Sequence, residues 1–388
     1  MSATDPQPFR LAVPEVVLED LRERLDRTRF PGAVRDAGWT YGTDADYLRD
    51  LVDYWRDGYD WRAAEAALNA IPQFTATVDG VDLHFAHVSG VGPAPLPLVF
   101  SHGWPGSFWE VYKILGPLTD PGAHGGDPQD AFTVIAPSLP GYGFSPDPGR
   151  PGLHPGAIAD LYAELMEGVL GYRSFGAQGG DWGAHVLTRL AHRHPHLVTG
   201  LHLNLTNARP HLGEGSRPLS RAESDFLDEQ ARWRVAEGAY AAIQGTKPQT
   251  LAYALTDSPA GLLAWMVEKF RSWSDCAGDV ERVFSRDELL TNVMIYWVTG
   301  SIGSSIRLYY ERDQEAWALG PGERVEVPTG FARFPAEIWR PPREWVERSF
   351  VLRRWTEMPR GGHFAALEQP ELLVEDVRAF FRPLRSAL

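Results

Sequence analysis

The sequence predicts an α/β fold, a mostly parallel sheet flanked by helices, with a helical insertion and a helical segment ahead of it. Three observations carry this reading. Short apolar runs ending in Gly or polar residues alternate with helical stretches between residues 97 and 205, as buried parallel strands joined by crossover helices do. Residues 206–320 then turn helical and aromatic, with no clear strand. After them the strand pattern returns at 332–339 and 349–359.

Each element has its own signal. Residues 14–29 carry Val17, Leu18, Leu21 and Leu25 at helical spacing, and a second amphipathic helix is expected near 44–57. "RAAEAALNAIP" (62–72) reads as a third, stopped by Pro72. "QFTATVDGVDLHFAHV" (73–88) alternates around Asp79–Gly80 and reads as a β-hairpin. "PLVFSHG" (97–103), "FTVIAPS" (132–138), "RSFGAQGG" (173–180) and "VTGLHLNL" (198–205) are the expected parallel strands. Helices are expected at 157–170 and 182–194, and a last one closes the chain at 370–385. The resulting division is an N-terminal helical extension (1–72), a core in two parts (73–205 and 321–388) and a helical lid (206–320).

Composition narrows the function classes. With 44% apolar residues the chain can bury a large core, and a net charge of −14 argues against nucleic acid or an anionic membrane as partner. Cys276 is the single cysteine, so no intrachain disulfide forms. The N-terminal residues carry charge early and lack a long apolar run, unlike a signal peptide or membrane anchor. A cytoplasmic location follows as the expectation. Lys occurs only at 113, 247 and 269 among 37 basic residues, a bias read as that of a GC-rich bacterial genome.

The chemistry centres on "QGGDWG" (178–183). Gly179 and Gly183 flank Asp181 at the spacing of a nucleophile elbow, with a strand before and a helix after. Taken alone, Asp181 also suits a helix N-cap. His363, in the loop "MPRGGHFAALEQP" after the last expected strand, stands where an α/β-hydrolase carries its base. Glu337 precedes it and can orient the imidazole, with Glu368 as the weaker rival. "HGWP" (102–105) follows a strand, so the backbone amides of Trp104 and Trp182 are assigned to an oxyanion hole, with the His102 side chain structural. The four pieces in this order predict an α/β-hydrolase fold with a helical lid and an N-terminal helical extension. No metal or organic cofactor is called for.

An aspartate at the elbow changes the reaction. A serine attacking saturated carbon would form a stable ether. A carboxylate forms an ester, which water activated by His363 can cleave at the carbonyl of Asp181 itself. That points to epoxide opening or carbon–halogen cleavage. The many aromatic residues favour a hydrophobic or aryl substrate.

The chain resembles the microsomal-type epoxide hydrolases, which carry an N-terminal extension before the α/β-hydrolase core. The resemblance rests on "SHGWPGSFWE" (101–110), "PSLPGYGFS" (137–145), "QGGDWG" (178–183), "IQGTKPQT" (243–250), "DSPAGLLAWMVEKF" (257–270), "LLTNVMIYWVTG" (289–300), "VPTGFARFPAE" (327–337) and "RGGHFAALEQPELL" (360–373). It implies two lid tyrosines as proton donors to the epoxide oxygen. Tyr240 matches one, three residues before "IQGTKP"; Tyr309 in "RLYYE" matches the other, with Tyr310 adjacent and open as an alternative. The expected reaction is hydrolysis of a small-molecule epoxide to a vicinal diol. Animal members begin with a membrane anchor that this sequence lacks, so it looks like a bacterial relative, of the kind found in actinobacterial natural-product pathways such as enediyne biosynthesis. A homodimer stays open. The runner-up is a haloalkane dehalogenase, which shares the Asp–His chemistry; the candidate tyrosines and the extension argue against it. A binding protein with dead chemistry is disfavoured by the intact Asp–Glu–His set, and a serine esterase by the absence of Ser at the elbow.

Overall fold

The structure, a computed structural model, describes residues 4–387; residues 1–3 of the expected N-terminal extension and residue 388 lie outside it. Among the described residues nine strands form one sheet: β1 Gln7–Phe9, β2 Gln73–Val78, β3 Val81–Val88, β4 Leu96–Ser101, β5 Phe132–Pro137, β6 Phe175–Gly179, β7 Val198–Leu203, β8 Val325–Arg333 and β9 Phe350–Glu357. Their order is β1-β2-β3-β5-β4-β6-β7-β8-β9. The β1–β2, β2–β3 and β3–β5 junctions are antiparallel and all the rest parallel. The hairpin turn has Asp79 and Gly80 both left-handed (φ 49° and 72°), the backbone that matches strand twist in a two-residue loop.

After β4 the chain moves to β5 on one side, then crosses to β6 on the other. The carboxyl ends of β4 and β6 therefore flank a topological switch point, where α/β sheets open a ligand crevice. Helices cover both faces. A side chain at Gly176 would meet Phe381 of helix Pro370–Phe381, whereas one at Gly179 would meet Leu187 of helix Asp181–Arg193. Positions of opposite parity on β6 point to opposite faces, which puts these helices on either side of the sheet.

Six α-helices lie between β7 and β8: Arg221–Glu237, Ala239–Thr246, Pro248–Asp257, Pro259–Ser272, Arg286–Thr299 and Ile302–Gln314. The first and fifth start on capping boxes, Ser220 with Glu223 and Ser285 with Glu288, which satisfy otherwise unpaired amides at each helix start. The extension supplies helices Glu15–Asp26, Ala45–Asp57 and Trp61–Asn69. Leu18, Leu21 and Leu25 of the first, and Leu48, Leu51, Val52 and Trp55 of the second, are buried. The extension also bonds to the lid: Thr43 Oγ1 donates to the Ala264 carbonyl (2.7 Å), Tyr54 to Asp287 (2.8 Å), and Tyr59 meets Thr291 (3.0 Å). One apolar core runs through extension, sheet and lid.

The structure departs from the sequence reading in a few places. The strand expected at 332–339 runs instead over Val325–Arg333. Pro328 and Gly330 disguise it. Pro328 sits at a register irregularity, where its missing N–H is tolerated, and Gly330 leaves room for the ring of Phe380. Residues 334–339 form a loop. The helix expected over 157–170 ends as an α-helix at Glu164 and continues as a π-helical turn, Leu165–Val169. The closing helix becomes 3-10 after Phe381. The short strand β1 and helix Arg343–Ser349 give too little periodicity to be read.

Candidate active site

Asp181 opens helix Asp181–Arg193 directly after β6, with φ +40°. A non-glycine residue there is strained, and the sharp turn lifts its carboxylate above the sheet. The turn needs close approach on its inner side: a Cβ at Gly183 would run into the carbonyl of Ser101, and one at Gly103 into the Asp181 carboxylate. These two contacts let the β4 and β6 loops touch.

The Trp104 N–H donates to Asp181 Oδ1 at 2.8 Å. Asp181 Oδ2 lies 3.3 Å from His363 Nε2, and His363 Nδ1 lies 2.6 Å from Glu337 Oε1. The structure thus brings together Asp181, His363, Glu337 and the backbone amides of Trp104 and Trp182. Glu337 lies four residues past the end of β8, on the loop. That loop is tied to the His363 loop by a parallel bridge between Ala336 and Gly362, with the Ala336 N–H donating to the Gly361 carbonyl at 3.0 Å. The rival Glu368 is spent elsewhere. It accepts from the amides of Asp275 (2.8 Å) and Phe364 (2.9 Å).

Electrostatics follow from burial and pairing. Burial alone would raise the Asp181 carboxyl, but His363 and the amides of Trp104 and Trp182 hold it below its ordinary value. Burial alone would lower His363, but the carboxylates of Glu337 and Asp181 hold it well above the usual imidazole range. An ionised carboxylate thus sits against an imidazolium. His102 is different. Burial pushes it down to about 4. The Leu139 N–H donates to its Nε2 (3.1 Å), so its Nδ1 carries the proton toward the Gly103 carbonyl (3.0 Å). It braces the loop before Trp104, as expected of a structural residue.

Tyr240, on helix Ala239–Thr246, stacks on Trp104 with ring centres 5.6 Å apart and planes at 11°. Tyr309, on helix Ile302–Gln314, meets Trp182 edge-on at 4.7 Å and Trp104 at 5.9 Å. The two tyrosine rings are 5.9 Å apart. Both are buried, whereas Tyr310 is 39% exposed, so helix geometry selects Tyr309 as the one facing the site. Burial pushes both phenols above their ordinary value, keeping them as neutral O–H donors.

The lid also grips the Trp104 loop. Asn292 Nδ2 donates to the Pro105 carbonyl (2.7 Å) and Tyr296 to the Gly106 carbonyl (2.5 Å), both from helix Arg286–Thr299. One neighbour escaped the sequence reading. Glu110, at the end of "SHGWPGSFWE", folds its carboxyl over Gly106 and shares a small cavity with Asp181 and His363. Nothing in its spacing marks it, because it reaches the site from a 3-10 turn, Phe108–Val111. Among the described residues no group of three or more His, Cys, Asp or Glu converges as a metal requires, and no helix is long and apolar enough to cross a membrane.

Comparison with known proteins adds family context. Residues 6–111 match the family model for the epoxide hydrolase N terminus, and residues 97–310 the model for the alpha/beta hydrolase fold. A bacterial protein of Stigmatella aurantiaca is 44% identical over 98% of this chain and 85% of its own length. Epoxide hydrolase 1 of Oryctolagus cuniculus is 41% identical over 96% of this chain and 88% of its own. The crystal structure of juvenile hormone epoxide hydrolase from the silkworm Bombyx mori superimposes with a TM-score of 0.88, at 30% identity, covering 99% of this chain and 96% of that one.

Proposed function

The chain belongs to the microsomal-type epoxide hydrolases, which join an N-terminal extension to an α/β-hydrolase core, and from that premise we propose that it opens its epoxide by covalent catalysis on Asp181. The observation that carries this is the Asp181 carboxylate set beside the His363–Glu337 pair, with two buried tyrosines packed on Trp104 and Trp182, the residues flanking it.

Asp181 Oδ1 is held by the Trp104 amide, so Oδ2 is the attacking atom. It adds to one epoxide carbon while the C–O bond on that carbon breaks. The leaving oxygen takes a proton from Tyr240 or Tyr309. The product is an alkyl ester on Asp181, an alcohol and one tyrosinate. Attack removes the Asp181 charge, one of the two that raise His363, and leaves Glu337 as its partner. The imidazolium can then return a proton to the tyrosinate and become a base. Water gives a proton to His363 Nε2 and its oxygen bonds to the Asp181 carbonyl carbon. The amides of Trp104 and Trp182 stabilise the oxyanion that forms. Its collapse breaks the bond to the alkyl oxygen, which recovers the proton from His363 and leaves as a vicinal diol.

The tyrosines favour an epoxide over a haloalkane, because an alkoxide needs a proton and a halide does not. The test is a single turnover with enzyme in excess in ¹⁸O water. The first diol formed should carry no label and Asp181 should acquire it; label entering the first diol directly would remove the ester from the mechanism. Halide release from chloro- and bromoalkanes, assayed beside diol formation, separates the dehalogenase reading.

A further inference from the structure

Beside Asp181 lies a small cavity, of about 20 Å³, bordered by Glu110, Gln178, Asn204, Asp181 and His363. Neither Tyr240 nor Tyr309 borders it. A water needs on the order of 10–15 Å³ of such space and two to four polar partners. Gln178 is 2% exposed, and its Oε1 has no hydrogen-bond partner, although its Nε2 donates to Asn204 Oδ1 at 3.3 Å. A buried acceptor left unmet costs free energy that a water can recover. The cavity thus offers an unmet acceptor, a carboxyl and the imidazole beside the carboxylate that forms the proposed ester.

We infer that this cavity seats the water that cleaves the Asp181 ester, and that Glu110 is a positioning residue for that water. The inference rests on the covalent reading of the reaction. Substrate enters on the tyrosine side of Asp181, and water reaches the ester carbon from the opposite side. One O–H of the water points to His363 Nε2. The other is accepted by Glu110 or Gln178 Oε1. The oxygen is left free to bond to the Asp181 carbonyl carbon.

Glu110 serves this purpose while neutral. It is half-buried as a residue, yet its carboxyl is turned inward over Gly106. Burial pushes it up to about 8, with His363 and the Gly103 amide opposing and the Asp181 charge adding. Tyr296 also lies in its field. An ionised Glu110 would hold His363 protonated and repel the oxyanion forming on Asp181.

The experiment separates the two half-reactions by rapid quench, following the alkyl-enzyme by intact mass with styrene oxide as the probe. In Glu110→Ala the alkylation rate should stay within about twofold of wild type, while ester hydrolysis slows by about 10-fold or more, so the adduct accumulates. Glu110→Gln is neutral at every pH. It should hydrolyse the ester near the wild-type rate at pH 7 and lack the decline expected of wild type above pH 8. Unchanged hydrolysis in Glu110→Ala, or equal slowing of both half-reactions, overturns the inference. So does the same alkaline decline in Glu110→Gln, which also covers the case where the alanine variant does not fold. An adduct in His363→Gln with normal hydrolysis in Glu110→Ala overturns the inference and leaves the covalent reading standing. No adduct even in His363→Gln discards the covalent reading and the inference with it.

Discussion

The backbone amide of Trp104 donates to Oδ1 of Asp181 at 2.8 Å, joining the loop after β4 to the turn after β6. The contact is possible because residue 103 is glycine, whose missing Cβ leaves the space the carboxylate fills. Gly103→Ala should therefore leave the fold intact and displace the carboxylate. Activity should fall by about 10²-fold, as misplacement near 1 Å does, with an unchanged circular dichroism spectrum. Near-normal turnover in this variant would mean that the Asp181 position is not critical.

The proposed acid step assigns one proton to two phenols. With either tyrosine able to donate, Tyr240→Phe and Tyr309→Phe should each reduce alkylation by about 10-fold, and the double variant by more than about 10²-fold. Tyr310→Phe is the control, because that side chain faces outward. Burst kinetics on a chromogenic epoxide measure the step; equal effects at 309 and 310 would break the assignment.

The lid is coupled to the oxyanion loop through Asn292 and Tyr296. Removing either leaves a buried carbonyl, of Pro105 or Gly106, without its donor. Asn292→Ala and Tyr296→Phe should each destabilise the protein by about 1–3 kcal/mol, and should lower kcat through the Trp104 amide. Denaturant midpoints read the first effect and steady-state rates the second. Loss of stability with kcat intact would confine the role to packing.

Away from the site, Asp376 is a buried hub. It meets His202 Nε2 at 2.9 Å, Arg354 Nε at 2.6 Å and Thr356 Oγ1 at 2.7 Å. Burial would raise its carboxyl, but these partners outweigh it and hold it down at about 2. A depressed carboxylate adds stability that is full above its unfolded value near 3.8 and lost as pH falls through about 2. The contribution is about 2 kcal/mol. Asp376→Asn should lower stability by about 3 kcal/mol at pH 7 and flatten its dependence between pH 4 and 2. Melting curves at several pH values check this, and an unchanged midpoint at pH 7 would contradict the hub reading.

Much of the fold was legible because its signals are local. Alternation marks the hairpin at 73–88, apolar runs mark β4 to β7, and helical spacing marks Leu18, Leu21 and Leu25. The elbow was legible too, since a strand, small residues and a helix start must be contiguous to bend the chain at Asp181. β8 was shifted because Pro328 and Gly330 are poor strand formers alone. Pairing with β7 and β9, and the Phe380 ring, overrule them.

The sequence by itself determined the α/β-hydrolase class, the elbow and the residue types that stand at it, because turn chemistry and periodicity are properties of neighbours in the chain. Tertiary structure alone decided which carboxylate meets His363. Glu337 does so because the Ala336–Gly362 bridge brings two loops together, while Glu368, nearer in sequence, is turned to the Asp275 and Phe364 amides. It likewise decided that Tyr309 faces in and Tyr310 out, and that Glu110 reaches the cavity beside Asp181. Those outcomes depend on burial and on contacts between segments far apart in the chain, and local pattern carries no record of either.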